Sequence, residues 1–114
     1  MTRQSLQQSM PRWIEIEHWS PQRKAQAVAA FLGLILAELE ASASEPFPWE
    51  AHHLAYALEA LVAGRFYAAL TFSETALASP DERTPNSAIL GATTVRREHL
   101  RAALNLVQAR IEKA

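Results

Sequence analysis

Apolar residues recur at intervals of three and four after Ser20, which is the spacing of one face of an α-helix. Serine is a favourable N-cap and proline fits the first helical position, so we expect this helix to begin at Ser20 and Pro21. The apolar seam consists of Ala25, Val28, Leu32, Ile35 and Leu39, and it is widened almost to the full circumference by Phe31, Leu34 and Leu36. A helix that is apolar nearly all round needs neighbours on several sides. In a chain of 114 residues a second copy could supply some of them, so the pattern predicts a homodimer.

Three further helical patterns follow the first. We expect a second helix at about residues 49–63, a third at about 65–79, and a last one from Thr93 or Thr94 to about Lys113. Gly64 has the position of a helix C-terminal glycine, and Pro80 is expected to end the third helix. Residues 80–93 are expected to form a loop, in which "NSAIL" could form a helical turn. The apolar face of the last helix is predicted to consist of Leu100, Leu104, Val107 and Ile111.

The segment "PRWIEIEHW" before the first helix fits two conformations. Ile14 and Ile16 alternate with glutamates as in a strand, whereas Trp13, Ile16 and Trp19 recur every third residue as in a helix. No second strand-like segment occurs in the chain to pair with it, so we favour an arm packed across the bundle or onto a partner. The predicted fold is therefore all-α: an antiparallel bundle of about four helices at residues 20–114, preceded by an N-terminal arm at 1–19.

Residues 49–80 resemble a single tetratricopeptide repeat, through "GRFYAALTFSETALASP" and the helix before it. The matching residues are Gly64 at the turn, Phe66 just after it, and the small residues Ala57, Ala69 and Ala76. The departures are His53 and Ala60, where the repeat has large residues, and Phe72 and Pro80, which each come one position early. The resemblance implies a tight antiparallel hairpin. Repeat arrays need about three stacked units, and no second copy of the pattern occurs, so we do not expect an array.

Composition narrows the function classes further. The length fits one domain, and the chain contains no cysteine, which excludes disulfides and thiolate chemistry and suits a reducing cytoplasm. The longest stretch without a charge, residues 25–37, is too short to cross a bilayer, and the N-terminus lacks the apolar region of a secretory signal. We therefore expect a cytoplasmic protein that does not associate with membranes.

Charge is distributed unevenly although the net charge is -1. Residues 31–82 carry eight acidic side chains and one basic one, whereas residues 92–114 carry five basic and two acidic ones. The last helix could bind nucleic acid through its basic residues, Arg96, Arg97, Arg101 and Arg110. Aromatic residues for base stacking are absent from that helix, and the rest of the chain is acidic. We therefore favour pairing of this helix with the acidic helices over nucleic-acid binding.

Two groups of polar residues on the second predicted helix could bind a metal or a ligand. Glu50 and His53 have the Glu-x-x-His spacing of carboxylate-bridged di-metal bundles, but no second copy of that pair occurs in the chain. His52, Tyr56 and Glu59 form another polar line, which could hold a small ligand or serve as an acid/base pair. We favour simpler interpretations: a polar cluster at the helix start for the first group, and a solvated helix face for the second. No activated nucleophile and no phosphate-binding glycine loop can be recognised, so no catalytic residue and no cofactor are predicted.

Four aromatic residues lie outside the helical seams: Trp13, Trp19, Phe47 and Trp49. Tryptophan is enriched where protein interfaces concentrate their binding energy, so these residues are candidate partner-binding residues. They could equally hold the ends of the bundle together. The sequence as a whole predicts a small non-enzymatic interaction or accessory protein that associates with itself or with another protein. A metal or ligand site and nucleic-acid binding are the alternatives.

Overall fold

The computed structural model describes residues 3–41, 48–77 and 97–113. These residues form helices and their connections, without a strand, so the predicted all-α class is confirmed. The helices are α1 (Arg3–Ser9), α2 (Trp13–Ile16), α3 (Pro21–Ala41), α4 (Pro48–Val62), α5 (Phe66–Leu77) and α6 (Arg97–Lys113). The four longer helices, α3 to α6, correspond to the four that the sequence predicts. The predicted loop at residues 80–93 lies outside the described part of the chain.

Helix α3 is the centre of the fold. It begins at Pro21 as expected, and the backbone N–H of Arg23 donates a hydrogen bond of 3.2 Å to the Ser20 hydroxyl, which caps the helix. Helices α1, α4, α5 and α6 all pack against it. Its largest side chains, Phe31, Leu32, Ile35 and Leu36, are each at most 3% exposed.

The neighbours of α3 thus come from the same chain. The sequence predicts a homodimer because this helix needs neighbours on several sides, and a second copy could supply some of them. Leu34, 42% exposed, is the large residue of α3 that stays partly in solvent. Self-association consequently remains a prediction, without the support that the apolar helix gave it.

Helices α4 and α5 form a tight antiparallel hairpin around Gly64. Gly64 has φ +78°, its N–H donates to the Leu61 carbonyl at 3.1 Å, and the N–H of Arg65 donates to the Ala60 carbonyl at 2.8 Å. This pair of hydrogen bonds is the Schellman motif, which requires a left-handed residue at the position of Gly64. The rings of Tyr56 and Phe72, eight residues on either side of the turn, lie 5.5 Å apart. Small residues allow this close approach: Ala57 and Ala69 are fully buried.

Helix α6 packs beside α3 and α4, with its predicted apolar face inward. Leu100, Leu104 and Val107 are at most 8% exposed, and Ile111 packs against the core. Helix α6 lies antiparallel to α3: near its end, the Ile111 carbonyl accepts a hydrogen bond of 3.2 Å from the side-chain amide of Gln22, which lies at the start of α3.

The N-terminal arm adopts the helical alternative and crosses the bundle. Leu6 of α1 is fully buried, and Ile16 of α2 is 2% exposed, whereas Ile14 is 69% exposed. Trp13 contacts Tyr67 of α5 edge to face, with ring centroids 5.5 Å apart. The guanidinium of Arg23 lies 3.9 Å from the centre of the Trp19 ring. The arm therefore belongs to the packed structure.

No helix in the described ranges is long and apolar enough to cross a membrane.

Candidate interaction groove on helix α4

A cleft of about 830 Å³ runs along the outward face of α4. Helix α4 forms its floor, and α5 and α6 form its two walls. The floor includes Ala55, Tyr56, Glu59, Val62 and Ala63, and the walls are made by Ala68 and Phe72 of α5 and by His99, Ala103 and Val107 of α6. Among the residues that the structure describes, the three helices thus enclose a trough with one open side.

A second cleft, of about 220 Å³, adjoins the first towards the end of α6. It lies between α3, α4 and α6, because its lining includes Gln22 and Ala25 of α3 in place of residues of α5. Both clefts are lined by Val62 and Val107, so they adjoin at these two residues. We call the two clefts together the α4 groove. From His99 at one end to Ile111 at the other it follows α6 over roughly 18 Å, the length of about three helical turns.

The periodicity of α4 explains why its outward face is open. Leu54, Leu58 and Leu61 recur at helical spacing and are buried against α3 and α6, at most 8% exposed. Ala55, Glu59 and Val62 each follow one of these leucines by one position, so they recur at the same spacing on the adjacent face, about 100° around the helix axis. These outward residues are small or polar, so they leave room over the backbone of α4.

Apolar surface is left in the groove by the described residues. Val62, on its floor, is 56% exposed. Scattered single apolar residues are normal on protein surfaces, but a contiguous apolar patch rimmed by polar residues marks a binding surface. The α4 groove has this form.

The charged residues of the groove are placed unevenly along it. Glu59 lies on the floor of the larger cleft. Arg65, just after α4, lines the larger cleft, and Arg110, near the end of α6, lines the smaller one. All three side chains are exposed to solvent. Among the described residues neither arginine forms a salt bridge. The groove thus has one end with two available positive charges.

The predicted ligand-binding residues lie partly in this groove. Tyr56, 37% exposed, and Glu59 both line it, and the Tyr56 ring lies 6.0 Å from the His53 ring. The side chains of His52 and of the metal candidate Glu50 lie outside the described residues. In the part of the chain that the structure describes, no three His, Cys, Asp or Glu residues are grouped as metal ligands would be.

The partner-binding tryptophans of the sequence prediction lie elsewhere. Trp13 and Trp19 belong to the arm, are half-buried, and contact Tyr67 and Arg23 respectively. The side chains of Phe47 and Trp49 lie outside the described residues. The basic residues Arg96 and Arg97 are not described as side chains either, while Arg101 is half-buried.

Sequence reasoning missed the groove residues Val62, Arg65 and His99. A signal for one of them was present: Val62 follows Glu59 by three residues, so it falls on the polar side of α4. Arg65 and His99 gave no comparable signal, because their position in the groove depends on how the hairpin and α6 pack together.

Comparison with known proteins adds no relative: no protein-family model matches the chain, and neither a curated protein nor a solved structure is significantly similar to it.

Proposed function

We propose that this protein is a small, non-enzymatic interaction domain whose α4 groove binds a helix of another protein. The observation that carries the proposal is the open, three-helix trough with exposed Val62 on its floor. Amphipathic helices bind to other proteins by laying an apolar face into such a groove. The proposal includes a cytoplasmic setting, which the absence of cysteine favours.

The shape of the groove argues for a single helix as its occupant. A trough between two walls is concave, and two identical troughs cannot fill each other across a symmetric interface. A convex partner such as one helix can enter between α5 and α6. A homodimer formed by this chain would therefore use other exposed apolar residues, such as Ile14 and Tyr67 at the arm.

We also propose that the hairpin of α4 and α5, which forms the floor and one wall, is similar in geometry to a single tetratricopeptide repeat. Its glycine turn and the buried alanines at the helix contact are the residues on which the resemblance rests. In the proposal this hairpin acts alone, as one side of a groove completed by α6.

A small apolar ligand is the second candidate occupant. The volume of the larger cleft falls within the roughly 300–1,000 Å³ of ligand pockets, and Tyr56, Glu59 and His99 could give polar contacts. Such pockets bury about 70–90% of their ligand. The exposure of Val62 on the floor favours an elongated occupant over an enclosed one.

The proposal can be tested with a displayed library of helical peptides of about 14 residues, long enough to follow the groove. Wild-type protein and two matched variants serve as targets: Val62→Glu places a charge in the groove, and Leu34→Glu places the same charge on α3. Both original residues are exposed, so neither change disturbs the core.

We expect peptides with apolar residues at intervals of three and four to bind wild type and Leu34→Glu equally. Their affinity for Val62→Glu should fall at least about tenfold, because a carboxylate would be desolvated under the peptide. Circular dichroism of both variants checks that the fold is intact. Failure to select any peptide, or equal binding to all three proteins, would contradict the proposal.

A further inference from the structure

We propose that the helix bound in the α4 groove carries acidic residues in its first turn and lies antiparallel to α4 and α6, with that turn beside Arg65 and Arg110. This inference rests on the proposed function and specifies the chemistry and direction of the partner.

The relative direction of α4 and α6 follows from the residues that lie side by side in the two helices. Leu54 and Leu58 of α4 lie with Leu100 and Leu104 of α6, and further along Leu61 and Val62 lie with Val107 and Ile111. Residue numbers thus increase in the same direction in both helices, which makes α4 and α6 parallel. Their C-terminal ends therefore lie at the same end of the groove.

Two arginines lie at the end of the groove where α4 and α6 end. Arg65 follows the glycine turn that ends α4, and Arg110 lies in the last turn of α6, so both guanidinium groups are at the end where the helices finish. Both side chains are exposed, and neither forms a salt bridge within the described residues. An occupant with carboxylates at this end would satisfy both arginines.

The direction of the occupant follows from where its acidic residues lie. At this end of the groove the partial negative charges of the C-terminal ends of α4 and α6 are offset by the partial positive charge of the N-terminal end of α5, which begins at Phe66. Acidic residues stabilise a helix most in its first turn, through the dipole of that helix. A helix whose acidic first turn lies beside the two arginines, and which therefore runs antiparallel to α4 and α6, complements both positive charges.

Glu59 provides a second point of recognition. It precedes Val62, the last residue of α4, by three positions, which corresponds to roughly 4.5 Å along the helix. A basic residue about one turn after the acidic ones would come close to the Glu59 carboxylate. The expected partner pattern is an acidic first turn, then a lysine or arginine about one turn later, with small and aliphatic residues facing Val62 and Val107.

The inference can be tested with stapled helical peptides of about 14 residues that share one apolar face and differ only in charge placement. The first has two glutamates in its first turn and a lysine about one turn later, and the second has the glutamates in its last turn. A third peptide has glutamine at all these positions. Stapling keeps the helicity of the three equal, so affinity differences report on contacts with the protein.

Two matched variants of the protein identify the arginines as the cause. Arg65→Gln combined with Arg110→Gln removes two positive charges from the groove. Arg12→Gln combined with Lys113→Gln removes the same charge from exposed positions that do not line it.

We expect the first peptide to bind wild type about five- to tenfold more tightly than the second, as two exposed ion pairs would give. The preference should disappear in the groove variant, persist in the control variant, and weaken in high salt. Equal binding of all three peptides would overturn the inference while leaving the proposed function intact. Binding of none of them would overturn both.

Discussion

Helices α3 and α4 are both rich in apolar residues, yet the chain covers them very differently. α3 carries large side chains all round and is contacted by four other helices, which leave its Phe31, Leu32 and Leu36 each 2% exposed. α4 is covered on its leucine side, while its outward side presents alanines, Glu59 and a Val62 that is 56% exposed.

We propose that the two helices differ in role, α3 in stability and the outward face of α4 in recognition. Burial of the large side chains of α3 against four other helices contributes hydrophobic stabilisation. The outward face of α4 adds little to stability because it is not covered. Its small side chains instead leave space in which a second helix can approach the backbone closely.

The largest expected effect contrasts the two helices directly. Leu32→Ala in α3 should lower the free energy of unfolding by about 3 kcal/mol, because it removes buried methyl groups and leaves a cavity. Val62→Ala in α4 should change it by less than about 0.5 kcal/mol, since that side chain is already in solvent. Urea denaturation followed by circular dichroism measures both. Similar losses in the two variants would show that the outward face of α4 is buried after all.

A smaller effect is expected at the turn that places α4 beside α5. Gly64→Ala should destabilise the protein by roughly 1–2 kcal/mol, because an alanine at φ +78° is strained by its own backbone. The space around Gly64 is open, since an added Cβ would meet no atom within 4 Å, so the loss would come from the backbone conformation. Gly64→Asn, which tolerates this conformation better, serves as the control and should lose less. Unchanged stability of the alanine variant would contradict the Schellman turn.

The smallest effect, of opposite sign, is expected in the middle of α3. Gly33→Ala should raise the free energy of unfolding by about 0.5–1 kcal/mol, because alanine favours the helix. The added Cβ would lie 3.7 Å from the Leu104 Cδ2 atom, an ordinary contact with α6. Thermal denaturation would check the sign, and a lowered melting temperature would mean that α3 and α6 pack more closely than described.

The sequence predicted the elements of the fold well, because each carried a local signal. The Ser20 cap, the Gly64 turn and the apolar face of α6 all have short-range patterns whose physical cause lies within one or two turns of helix. The conformation of the arm was left open, since Ile14 and Ile16 fit both periodicities. In the structure the arm is helical, and Ile16 packs into the bundle. The hydrophobic pattern did not predict the burial of Leu6.

The groove could not be predicted in the same way. Tyr56 and Glu59 were identified as a polar line on one helix, but His99 comes from a distant helix and Arg65 from a turn. Their proximity depends on the order in which helices pack, which no local pattern encodes. The same limit explains the homodimer argument: the apolar circumference of α3 indicated how many neighbours it needs, and only the packing shows that its own chain supplies them.

The central claim is that one chain covers α3 and leaves the outward face of α4 open. Since the chain has no cysteine, single-cysteine variants report accessibility cleanly. Thiol labelling of native Val62→Cys should proceed at nearly the rate seen in denaturant, whereas Ala29→Cys, at a position 2% exposed in α3, should label at least about a hundredfold more slowly. Slow labelling of Val62→Cys, at concentrations where the protein is a monomer, would contradict the account.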